Sequence, residues 1–141
     1  MPIALVSPQL AVLVGQCSDE ARHDMVQRAC LLAVKRTNLD DDATILEALE
    51  AIDRRQFGNP SLTIRLDALT EELDEIAWDL QDQAAAGKAT MDEYGRAFTK
   101  ARAVAALGYA LDGSPKSSLE ALYEAYHAVD AEDEFVRSVA G

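Results

Sequence analysis

Two histidines occur in this 141-residue chain, and each has a glutamate three positions before it: Glu20 with His23, and Glu124 with His127. Spacing of i, i+3 puts both side chains on one face of a helix. Two such motifs with two further glutamates build the carboxylate-bridged metal centres of four-helix bundles. Ligands of that kind must project into the bundle. Glu124 and His127 instead fall opposite Leu122, Tyr126 and Val129, on the polar side of their helix. Glu20 is also on a polar face, with His23 at its border. The order of the motifs along the chain is wrong for such a centre too. Both pairs therefore read as solvated surface pairs, with a metal or small-ligand bundle as a subordinate alternative.

Other catalytic material is scarce. Cys17 and Cys30 lack the C-x-x-C spacing of a zinc or redox site, and Cys30 sits in the apolar run Ala29 to Val34 as a small buried hydrophobe. Within one continuous helix the two thiols could not bridge. No Gly-x-Ser-x-Gly elbow and no glycine-rich phosphate loop is present. Asp40-Asp41-Asp42 lacks the alternate spacing of a calcium loop and reads as a helix-capping turn. The chain carries no motif of an enzyme, and no cofactor is expected.

The stretch from Leu62 to Gln83 is more telling. Leu62, Leu66, Leu69, Leu73, Ile76 and Leu80 are spaced 4-3-4-3-4, an a/d seam for packing on another helix. Trp78, the one tryptophan, lies roughly 160° around the helix from Leu62. It shares its face with Ile64, Asp67, Glu71, Asp74, Glu75 and Asp82. An indole among carboxylates, turned from the seam, is a contact surface for a basic partner. The competing reading is that another helix of the same chain covers Trp78.

Charge supports that surface. The net charge is −12, and residues 61–86 hold seven acids against one base. Residues 87–111 hold four bases against two acids. Direct contact with nucleic-acid phosphates needs clustered Lys and Arg, and anionic membranes require the same. Neither is expected. Antiparallel packing of the acidic helix on the basic one would neutralise some carboxylates through Arg96, Lys100 and Arg102, leaving an excess.

The elements that position these residues are helices. Apolar residues make up 49% and aromatics 6%, with alanine and leucine abundant. Ser7-Pro8 opens a first helix that either stops near Gly15 or runs on, and Ser18 restarts one that reaches Arg36. An aspartate of Asn38–Asp42 caps the next, which ends near Phe57-Gly58. Ser61 caps the acidic helix, which fades at Ala84–Gly87. Thr90-Met91-Asp92-Glu93 is a capping box, and Ser114-Pro115 opens the last helix, whose apolar stripe rotates near Ala131 toward Phe135 and Val139. Pro2 to Val6 is ambiguous between helix and strand. The apolar start, Ile3 to Val14, is too short to span a membrane and reads as no targeting signal.

The expectation is an all-α fold, a single antiparallel bundle of five or six helices over residues 1–141. Its function is read as that of a non-enzymatic cytoplasmic binding protein, of the inhibitor, immunity-protein or charge-mimic kind. Trp78 and Ile64 would anchor a basic protein partner while Glu71, Asp74, Glu75 and Asp82 pair with its cations. A helical homo-oligomer, such as a homodimer, in which the 62–80 seam and its outer face pack between protomers, is the alternative.

Overall fold

A computed structural model describes residues 8–129 and 131–140. The protein is all-helical, 81% helix, with no strand among the described residues. The described residues form seven helices: α1 Pro8–Gln16, α2 Asp19–Arg36, α3 Ala43–Asp53, α4 Pro60–Ala85, α5 Met91–Ala110, α6 Pro115–Val129 and α7 Glu132–Ala140. Seven replaces the expected five or six because both points of doubt are real breaks. Ser18 caps α2 by accepting from the Ala21 amide at 3.2 Å, separating α2 from α1. The rotation of the stripe near Ala131 marks the boundary between two helices, α6 ending at Val129 and α7 starting at Glu132. The question of Pro2 to Val6, and the Ser7 cap, lie outside the described residues.

Local chemistry sets the boundaries. Asp42 accepts from Ile45 N at 3.1 Å and Thr90 from Glu93 N at 3.2 Å, each satisfying a donor of a helix start. The α4 cap is Asn59, which accepts from Leu62 N, rather than Ser61. The preceding helix ends at Asp53 rather than near Phe57-Gly58, the chain turning at Arg55 with φ +56°. Pro60 opens α4, since proline's fixed φ and missing N–H suit a first helical position.

From α2 to α6, consecutive helices reverse direction. Gln27 Nε2 donates to Asp53 across α2 and α3, Arg65 pairs with Glu47 across α3 and α4, and Arg102 pairs with Asp74 across α4 and α5. The bundle is nevertheless not wholly antiparallel. Arg22 Nε donates to Ser118 Oγ near the start of α2 and α6, and Arg36 and Val129 line one hollow at their ends. Three helices separate α2 from α6, so four reversals bring the two together running parallel.

Buried residues from every helix join one apolar core. Alanines at 29, 33, 48, 103, 106, 121 and 125 let the helices approach closely, and Phe135, Ile45, Leu107 and Leu122 fill the volume between them. Helix α7 lies along the second half of α2: Arg36 pairs with Glu134 and Arg28 donates two hydrogen bonds to the Val139 carbonyl, while Phe135 and Val139 are buried.

Candidate functional site

Helix α4 is the element that organises the candidate surface, and its long packing partner is α5. The side turned to α5 carries Leu66, Ala77 and Asp74. The leucine seam is only partly used. Leu62 and Leu66 are fully buried, Leu69, Leu73 and Leu80 are half-buried, and Ile76 is 44% exposed. Two causes act together. In a straight helix a heptad pattern drifts about 20° per repeat, which puts Ile76 about 40° around from Leu62, toward solvent. Helix α3 is also too short to cover Ile76 and Leu80: it has 11 residues against the 26 of α4. The Glu47–Arg65 pair sets the register, so Ala43, four residues before Glu47, sits about level with Leu69. Beyond that level α3 has ended.

Trp78 is 63% exposed and Ile64 67% exposed, both on the side of α4 turned from the core. No helix among the described residues covers the indole. The two apolar residues are 14 positions apart, about 21 Å along the axis, so they are separate points on one face rather than one patch. Glu71, Glu75 and Asp82, with Asp67, are exposed between and beyond them. Among the described residues none of these four carboxylates is in an ion pair.

Asp74 differs, and its expected place among the partner-facing acids is corrected. Its side chain is 25% exposed and receives Arg102 Nη2 at 2.9 and 3.0 Å. The same guanidinium donates through Nη1 to Glu124 Oε2 at 2.9 Å and lies over the Phe98 ring, 5.6 Å from its centroid. Arg102 thus clamps α4, α5 and α6 together. Burial works against its charge, but Glu124 and Asp74 more than offset that, leaving its pKa above the ordinary arginine value. Burial pushes the Glu124 carboxyl up, and Arg102 compensates only in part.

Glu124 is therefore not the surface acid its wheel position implied; its side chain is 12% exposed. Helix α6 packs on both α5 and α2, so a second side of it is buried. His127 is half-buried, with Tyr123 and Tyr126 edge-on at 4.6 and 5.3 Å. At the other motif Glu20 is exposed, while His23 stacks on Phe57 with ring centroids 5.1 Å apart. Its pKa is lowered, first by burial and then by Arg55 and Arg22. The two E-x-x-H pairs do not converge, and among the described residues no group of three or more His, Cys, Asp or Glu side chains is placed to hold a metal ion.

Cys30 is fully buried, and burial pushes its thiol up to about 12; Cys17 is half-buried, and neither is in a disulfide. Among the described residues no helix is long and apolar enough to cross a membrane.

Sequence reasoning missed the groove that the open half of the seam creates. Leu73, Ile76 and Leu80 form its floor with Ala97, and Glu93, Arg96 and Lys100 of α5 form one lip, enclosing about 400 Å³. The signal that could have found it was the unequal spacing of turn residues around α3 and α4. With the geometry in place, comparison with known proteins adds no relative: no family model, curated protein or solved structure matches the chain.

Proposed function

We propose that this protein is a non-enzymatic binding protein whose outward α4 face docks a basic segment of a protein partner. One observation carries the reading: Trp78, 63% exposed, shares its face with Glu71, Glu75 and Asp82, which have no ion pair among the described residues. A large exposed aromatic supplies desolvation energy at the centre of an interface, while flanking charges set encounter rate and partner choice. Glu71, Glu75 and Asp82 do the pairing in this reading, Asp74 being held by Arg102. Ile64 forms a second contact point about four turns away. The mode of action is occlusion of the partner's basic surface, as an inhibitor or immunity protein acts. Two thiols outside any disulfide fit a reducing cytoplasm.

The test compares wild type, Trp78→Ala and the double variant Glu71→Lys with Glu75→Lys as baits in native lysate. Wild type is expected to retain a basic protein at low salt and release it at high salt. Both variants should lose it while keeping wild-type circular dichroism and Tm. Equal retention by all three baits would rule out this face.

A further inference from the structure

The groove beside Ile76 lies on the opposite flank of α4 from Trp78, roughly 100° from Ala77 on one side against 100° on the other. It is thus a separate surface, and a role for it does not depend on the partner reading. Its floor is apolar, with Leu73, Ile76 and Leu80. Its α5 lip is mainly basic, and the surface of α4 just outside its other edge, the acidic lip, carries carboxylates. On the α5 lip stand Arg96 and Lys100, with Glu93 as the one acid. On the α4 side, Glu72 and Asp79 flank Ile76 at i−4 and i+3, both exposed and without an ion pair among the described residues.

From this arrangement we infer that the protein self-associates as a two-fold dimer through the α4–α5 groove. The reason is symmetry. A two-fold axis along the groove sets the acidic lip of each copy on the basic lip of the other. An axis across the groove would set like on like. The heights also match. Asp74 pairs with Arg102, and Asp67 approaches Gly108, so α4 and α5 positions at one level have numbers that sum to about 175. Arg96 is then level with Asp79, and Lys100 lies within one turn of Glu72. Each copy presents two acid–base pairs, and Ile76 of each enters the other's floor. An acidic peptide would suit Arg96 and Lys100 but would meet Glu72 and Asp79. A second copy, carrying both signs in reversed order, meets neither conflict.

The apolar floor offers only Leu73, Ile76 and Leu80 on each copy, and small interfaces of this kind go with weak, reversible association. Repulsion between two chains of net charge −12 acts in the same direction. Sedimentation equilibrium of the full chain from 1 to 200 µM should show a mass rising from 15.3 kDa toward twice that value. Ile76→Glu should remain monomeric with unchanged circular dichroism, since the side chain is already partly in water. Arg96→Glu and Asp79→Lys should each weaken association at least tenfold, and an equimolar mixture of the two should recover it as a heterodimer. A monomer at every concentration overturns the inference. So does a dimer that Ile76→Glu leaves intact, or a mixture that fails to recover.

Discussion

Removing the Arg102 guanidinium should expose how this fold tolerates two carboxylates in a helix crease. Arg102→Ala leaves Asp74 and Glu124 facing each other's field without the cation that both now contact at 2.9 Å. Breaking a fully buried ion pair by deleting one partner costs about 3–5 kcal/mol. These side chains are 12–25% exposed, so water and rearrangement relieve part of that, and about 2–3 kcal/mol is expected at pH 7. For a chain of this length that lowers Tm by about 6–12 °C. The pH dependence is more diagnostic than the size. Burial already pushes the Glu124 carboxyl up, and without the cation its main opposition is gone, so the folded-state pKa rises further above the unfolded value. Its penalty is then absent at low pH and grows as pH rises through the carboxylate range. The gap between wild type and variant should therefore be widest above about pH 6 and shrink toward pH 4. Adding Glu124→Gln to the variant should recover about 1 kcal/mol, because the neutral amide no longer needs the cation. Urea titrations followed by circular dichroism at pH 4, 5.5 and 7 measure all of this. A loss below about 0.5 kcal/mol, or one of equal size at pH 4 and pH 7, would refute the clamp.

Local geometry sets two further outcomes. Because the folded-state pKa of His23 is depressed below 6.5, the unfolded chain takes up a proton at higher pH than the folded one, and stability should fall as pH drops below about 6.5. His23→Gln should flatten that part of the Tm–pH curve, and an unchanged slope would show that His23 does not set it. Gly113→Ala should destabilise by about 1–3 kcal/mol and Gly95→Ala should stabilise by up to about 1 kcal/mol in the same melt. Gly113 has φ +76° and its new Cβ would meet Phe57 at 2.8 Å, whereas Gly95 is inside α5 with nothing within 4 Å. Two shifts of the same sign would contradict the contrast.

The sequence alone determined the class of fold and most helix starts, because those depend on local physics. Periodicity of apolar residues and a hydroxyl or carboxylate three residues before a free amide are readable without a neighbour, as at Ser18, Asp42 and Thr90. It also placed Trp78 away from the seam. Tertiary structure decided what each face meets. A helical wheel has one inside and one outside, but α6 has two packing neighbours, so Glu124 left the surface and joined Arg102. Asp74 was drawn into the same clamp for the same reason. The parallel pairing of α2 with α6 needed a count of reversals through three intervening helices. The leucine seam looked uniform from Leu62 to Leu80, yet a neighbour of 11 residues cannot cover one of 26. Only assembly of the helices closed the first half of that seam and left Ile76 open to solvent.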